Sequence, residues 1–214
     1  GIILISCVCI GVYSFTILGL VTSHCIISCY PLIVIALSGR FLKEKIGWRR
    51  WLAVFIGFMG VIVIINPISF DFNLNLLWPV SLSFLLAIYT ILTRKVSSFD
   101  DSETSFFWVA VIGCFIMTFI GPFFWEPIFF KDLGYLIILC LFSTCGHFLL
   151  IKALETAQAS ILQPFTYFQL LFASIIGILI FNDKITETIL LGGIMIVGSG
   201  IFASWRTHIK KQEN

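Results

Sequence analysis

The sequence predicts an all-α polytopic membrane protein, and three observations predict it. First, 59% of the 214 residues are apolar and only 11% are Asp, Glu, Lys or Arg. An ordinary soluble domain has roughly 45–50% and about 25%. Second, the few charges divide the chain into uncharged runs (His aside). Each run is close to the ~20 residues a helix needs to cross a ~30 Å hydrocarbon core. Third, stretches such as Val61-Ile62-Val63-Ile64-Ile65 and Leu136-Ile137-Ile138-Leu139 are continuously apolar, whereas a barrel strand alternates. Only helices and closed barrels satisfy the backbone in lipid, so the helix remains. The same composition excludes a soluble enzyme domain, a disordered tail and a secreted disulfide scaffold.

The spans follow in order. The first run, Gly1–Gly39, is long enough for two, and Gly19-Leu20-Val21-Thr22-Ser23-His24 divides them. There Gly relaxes the backbone and Thr or Ser caps a new helix. Spans three to eight are Trp51–Phe70, Phe72–Thr93, Thr104–Trp125, Leu133–Ile151, Thr156–Asn182 and Thr188–Trp205.

Orientation follows from the basic residues, since short translocated loops avoid Lys and Arg. Counted on alternate sides, 11 of the 13 fall on one side and only Lys131 and Lys184 on the other. The rich side holds Arg40, Lys43, Lys45, Arg49, Arg50, Arg94, Lys95, Lys152, Arg206, Lys210 and Lys211. It is the expected cytoplasmic side and carries the C-terminus, which predicts a multi-pass protein of a cell inner membrane. The net charge of +2 therefore marks topology. No basic soluble face exists to bind nucleic acid.

Two segments repeat. Ser38-Gly39-Arg40-Phe41-Leu42-Lys43-Glu44-Lys45-Ile46 precedes span three, and Gly177-Ile178-Leu179-Ile180-Phe181-Asn182-Asp183-Lys184-Ile185 precedes span eight. In each, a long apolar helix ends in an acid and Lys-Ile, then a new helix begins. The new helices carry small residues seven apart, Ala53 and Gly60 in one, Gly193 and Gly200 in the other. Five spans separate the copies, an odd number, so the copies face opposite ways. Such inverted repeats are common in secondary transporters, whose substrates bind near the midplane between the halves. The first copy then consists of residues 1–67, three helices, and the second of residues 72–206, five helices; residues 207–214 form a cytoplasmic tail. Symmetry expects ten helices, two inverted repeats of five. Eight are present, the chain begins with Gly rather than Met, and a truncated N-terminus is expected.

The chain resembles an EamA-type member of the drug/metabolite transporter (DMT) superfamily. The residues that carry the resemblance are Tyr30-Pro31-Leu32, Phe41 to Trp48, Gly57-Phe58-Met59-Gly60-Val61 and Asn66-Pro67 in the first half. In the second half they are Gly146 to Leu154, Pro164-Phe165-Thr166-Tyr167 and Gly193 to Gly200. The resemblance implies ten helices in two inverted halves around a central cavity. It implies that spans one, two, four, six and seven line that cavity, while three and eight pack at the periphery. Asp183 departs from the family pattern, following Asn where the family usually has Gly-Glu.

Polar groups inside spans are costly and so mark function. The candidate substrate-binding residues are Tyr13, Tyr30, Ser81, Tyr89, Ser143, His147, Gln163 and Tyr167. Ser143, Gly146 and His147 share one helical face, as do Gln163, Thr166, Tyr167 and Ser174. Gln163 and Tyr167 flank Pro164, which frees a backbone carbonyl inside a span. His147 is the candidate proton acceptor, near neutral pH. The bland alternatives are Ser and Thr that bond to their own helix or help helix contacts by ~0.6 kcal/mol, and Tyr or Trp as interfacial anchors.

The seven Cys residues lie in apolar runs with no Cys-x2-Cys pair, which reads as small apolar packing and not as a metal site. No cofactor is expected. There is no Gly-x4-Gly-Lys-Ser/Thr loop for ATP. Ala53, Gly57 and Gly60 allow close backbone approach, within the chain or across a homodimer. The expected partners are a small-molecule substrate and the lipid bilayer, with no nucleic acid. The sequence thus predicts a secondary transporter of a small metabolite that works by alternating access. Rival readings are an inactive truncated remnant and an intramembrane redox or haem protein, the latter resting on His24 and His147. No protease motif is present to support an enzyme.

Overall fold

The computed structural model describes residues 1–42, 47–66 and 73–212, with side chains up to Ala203. Lys43, Glu44, Lys45 and Ile46 of the first repeat segment, and Pro67, lie outside the described residues. So do the side chains of Arg206, Lys210 and Lys211.

The helices are α1 (Ile2–Leu18), α2 (Leu20–Ile27), α3 (Tyr30–Phe41), α4 (Trp48–Ile65), α5 (Leu77–Val96), α6 (Ser102–Ile120), α7 (Leu133–Thr156), α8 (Ala159–Leu179) and α9 (Glu187–Gln212). No strand occurs among the described residues. Six stretches are long and apolar enough to cross a membrane: Leu20–Phe41, Trp48–Ile65, Leu74–Val96, Ser102–Phe124, Phe130–Thr156 and Ala159–Leu179. Ile2–Leu18 and Glu187–Ala203 are shorter apolar helices. These six stretches and two shorter apolar helices fall on the eight uncharged runs, as in an all-α polytopic membrane protein.

The boundaries have local causes. α1 ends and α2 begins on a single residue, Gly19, at φ 79°. Glycine adopts this left-handed region without a Cβ penalty. Ser23 Oγ donates to the Ser14 carbonyl at 3.0 Å and ties the two helices across the turn. α4 begins earlier than the charges suggest, because Gly47 at its N-cap lets Arg49 and Arg50 join the first turn. It stops at Asn66 in the left-handed conformation, φ 43°, one residue before a proline in the sequence. Asp101 caps α6 by accepting the Thr104 amide at 2.8 Å. The Thr104 hydroxyl and amide hold its carboxyl below the ordinary carboxylate range. α9 runs on to Gln212, through most of the segment expected as a tail.

The second span differs from expectation. It breaks at Ser28–Cys29, between α2 and α3. Pro31 has no N–H to offer the Ile27 carbonyl one turn back, so the ladder stops there. Ser83 of α5 faces the break: its Oγ lies 3.3 Å from the Ile26 carbonyl, 3.5 Å from that of Ile27 and 2.8 Å from that of Pro79 in its own helix.

α2 and α3 form the centre of the bundle. They pack against α5 and α8, with α1 beside α2 and α4 beside α3. The main core unites Val21, Ile26, Leu32 and Ile35 of this central span with Val54 and Ile64 of α4, Ala87 of α5, Leu170 of α8 and Ile196 of α9. A smaller cluster joins Cys7, Ile27 and Leu82. α4 and α9 pack along each other. A Cβ on Gly60 would lie 2.7 Å from the Gly192 carbonyl, and one on Gly192 would lie 2.5 Å from the Gly60 carbonyl. The glycine face of α4 is therefore used within the chain. Its partner in α9 is Gly192, whereas the two glycines singled out in that helix face other neighbours. Gly193 faces Cys25 Sγ of α2, and Gly200 faces the Tyr167 hydroxyl of α8. One residue on a helix turns the face by about 100°, so neighbouring glycines of α9 serve different partners.

α6 and α7 stand at the flank. Ser102 is the only buried residue of α6, and Ile151 and Leu154 are those of α7. One end of the bundle is polar. There Lys152 Nζ lies 3.2 Å from Glu103 and 3.3 Å from Glu155. Ser102 Oγ donates to Glu155 at 2.6 Å, and Arg94 donates to the Leu154 and Glu155 carbonyls.

Candidate functional site

A cleft of about 750 Å³ opens between α1, α6 and α7. α1 contributes Leu4, Ile5 and Val8; α6 contributes Phe106 and Gly113; α7 contributes Ser143, Thr144, Gly146 and His147; Gln169 reaches it from α8. Nothing lies within 4 Å of where a Gly146 Cβ would sit, so the glycine keeps this wall open. The cleft is mainly apolar, with a few polar groups converging, as ligand sites generally are.

A second cavity of about 520 Å³ lies toward the polar end of the bundle, between α1, α5 and α6. Tyr89, Thr93, Ser105 and Trp108 line it, and it shares Val109 with the first. Tyr89 of this cavity and His147 of the cleft meet. Tyr89 Oη and His147 Nε2 are 2.8 Å apart, with ring centroids at 5.6 Å. Phe106 approaches His147 at 6.3 Å and Phe148 edge-on at 5.4 Å. The bond thus stands in the wall between the two cavities, joining α5 to α7.

Of the eight expected substrate contacts, the structure brings Tyr89, Ser143 and His147 to these cavities. The others lie elsewhere. Tyr13 packs edge-on against Trp78 at 5.2 Å, near the opposite end of the bundle. Ser81 Oγ donates to its own helix, at the Trp78 carbonyl, 2.7 Å away. Tyr30 packs against both apolar clusters at the start of α3. Gln163 is 2% exposed and Tyr167 7%. Gln163 Nε2 donates to the Ala159 carbonyl at 2.7 Å, so its amide serves the backbone beside the Pro164 interruption. Neither of these two lines the cleft.

Three polar atoms on this stretch of α8 are buried without a hydrogen-bond partner: Ser160 Oγ, Gln163 Oε1 and the Tyr167 hydroxyl. Their spacing of three and four puts them on one face. Ser83 is the residue that sequence reasoning missed. Its neighbour Ser81 is equally polar, and only the Pro31 break across the interface distinguishes the two. His24 stacks on Phe15 at 4.8 Å, apart from His147. All seven cysteines are free, with Cys7, Cys25 and Cys29 buried.

Residues 73–205 match the EamA-like transporter family. An S-adenosylmethionine uptake transporter of Rickettsia bellii (strain RML369-C) is 26% identical over 190 residues, 89% of this chain and 65% of that protein. A riboflavin transporter of Vibrio cholerae is 30% identical over 192 residues, 86% of this chain and 62% of that protein. The chain thus spans less than two thirds of the length of these relatives. No solved structure matches it. Apolar helices, a cleft with converging polar groups and a match over more than half of the residues lead to one conclusion: the chain belongs to the EamA-like transporter family.

Proposed function

We propose that the chain works as a secondary transporter that moves a small metabolite across the cytoplasmic membrane by alternating access. The cargo binds in the cleft between α1, α6 and α7, with Ser143 and His147 as polar contacts and Tyr89 bonded to His147 from the second cavity. The cargo class is a metabolite with a planar nitrogen heteroaromatic ring. Both compounds in the relatives' names carry such a ring. Phe106 and the His147 imidazole offer stacking faces, worth about 0.5–1.5 kcal/mol per aromatic pair, and Ser143, Thr144 and Gln169 offer hydrogen bonds at the rim.

The observation that carries alternating access is the unpartnered stripe on α8. Ser160, Gln163 and Tyr167 each bury a polar atom without a partner, at a cost of about 1–3 kcal/mol apiece. A face that meets water and cargo in a second conformation repays that cost. Gln163 and Tyr167 are then substrate contacts of the other state. The halves 1–67 and 72–206 are inverted repeats whose relative rocking exchanges the states. The basic residues put the end with Arg94 and Lys152 in the cytoplasm, together with the C-terminus. An ion gradient supplies the energy, and His147 carries the coupling proton.

The test is flux. The protein is reconstituted in liposomes, and uptake of radiolabelled S-adenosylmethionine and of riboflavin is followed with and without a pH gradient. Saturable uptake of at least one is expected. Tyr89→Phe should lower it about three- to tenfold, the worth of one hydrogen bond, and His147→Ala should abolish the gradient dependence. Uptake of both compounds no faster than in protein-free liposomes would sink the reading.

A further inference from the structure

α2 begins at Gly19 with no side-chain cap from its own segment. The cap comes from far along the chain. Asp183, in the connection between α8 and α9, accepts the Val21 N–H on Oδ2 at 2.9 Å across 162 residues. Its own N–H donates to the Gly177 carbonyl at 2.9 Å, which fixes the carboxylate to the end of α8. Asn182, at φ 55°, makes the turn that delivers it.

The carboxylate occupies a slot that two glycines leave open. A Cβ on Gly19 would lie 2.7 Å from Asp183 Oδ1, and one on Gly177 would lie 2.9 Å from Oδ2. The remaining contact between α2 and α8 at this point is apolar, Val21 and Leu20 against Gly177. The bond therefore joins the first half of the chain to the second at the end of the bundle where α1 turns into α2. By the basic-residue count this end faces outward.

We propose that Asp183 is a latch between the halves: its carboxylate holds the ends of α2 and α8 together and releases the Val21 amide when that end of the bundle opens. This rests on the alternating-access reading above. The contact suits the task. A carboxylate–amide bond exchanges for water at modest net cost, so it holds one state without making it permanent. The interlocked backbones of α4 and α9 lack that freedom. Asp183 touches neither cavity, so it is a positioning residue.

Cys25 is a built-in reporter. It lies one turn beyond Val21, is buried, and faces α9 where a Gly193 Cβ would sit 3.5 Å from its Sγ. Cys7 is buried in the separate cluster with Leu82 and serves as the control. The full chain in lipid nanodiscs is treated with N-ethylmaleimide, and the labelling rate of each cysteine is read by mass spectrometry. Asp183→Ala should label Cys25 about tenfold faster, the effect of losing a helix cap, with Cys7 unchanged. Asp183→Asn keeps an acceptor oxygen and should fall between. Cys25 unchanged, or Cys7 accelerated to the same degree, would overturn the latch. If Asp183→Ala does not fold, Asp183→Asn decides. The labelling needs no cargo: a Cys25 response without flux in the liposome assay would refute the transport reading and leave the latch standing.

Discussion

Arg94 counts in the sequence as one of the basic residues that crowd one side of the membrane. In the fold its Nη1 donates to the Leu154 carbonyl at 2.7 Å and the Glu155 carbonyl at 2.9 Å. It thus caps the last turn of α7, where unpaired carbonyls and the negative helix end favour a cation. Arg94→Ala should cost about 1.5–3 kcal/mol, the range for hydrogen bonds to charged groups, and lower the thermal midpoint in detergent by several degrees. An unchanged midpoint would show that water replaces the guanidinium at no loss. The neighbouring pair of Lys152 with Glu103 and Glu155 is exposed to solvent and should matter less. The sequence shows the charge of these residues and the side they occupy. It does not show which carbonyl each will reach, because that depends on α5 and α7 coming together.

At the scale of elements, the charges and glycines of a single sequence disclose most of the spans. The uncharged runs mark eight stretches, one of which the fold divides into α2 and α3, and Gly19 marks the turn between the first two. Boundaries move by a few residues, since caps such as Gly47 and Asp101 decide where a helix starts and charge does not. The break at Ser28–Cys29 has its cause in the sequence, in Pro31. Its satisfaction by Ser83 comes from another span and leaves no local trace. Helix pairing is harder still. Ala53, Gly57 and Gly60 announce a close contact, but Gly192 becomes evident as the partner only once α9 has a rotation about its axis. Between helices in lipid there is little hydrophobic drive, so such backbone approach supplies much of the attraction. Gly60→Leu should separate α4 from α9 and cost about 1–3 kcal/mol or more, read as a lower detergent midpoint. Gly146→Ala, where the space is open, should cost little in the same measurement.

At the scale of the whole molecule, one conformation must leave some polar groups poorly served if a second is to use them. On the alternating-access proposal, that is why the candidate site was only partly legible. Tyr89, Ser143 and His147 gather around the cavities, while Gln163 and Tyr167, polar and equally suggestive in sequence, lie buried, Tyr167 against Gly200 of α9. A pattern of residues lists what a protein can present, and packing decides what one state presents. Gln163→Leu separates stability from function. It removes an unpartnered buried oxygen at the loss of the Nε2 bond to Ala159, so this conformation should gain about 1 kcal/mol and a higher midpoint, while flux falls. A lower midpoint together with full flux would mean that Gln163 is ordinary packing.

The one-residue joint at Gly19 has a mechanical corollary. α1 leaves it as a rod of 17 residues, about 26 Å at 1.5 Å per residue. Its far end supplies Ile2 and Ile3 to one cavity and Leu4, Ile5 and Val8 to the other. A tilt of about 5° at the joint carries that far end about 2 Å across, by the length of the rod. Two ångströms there reshape both chambers at once. Asp183 sits beside this joint, 2.7 Å from where a Gly19 Cβ would lie, so the proposed latch acts at the short end of the lever.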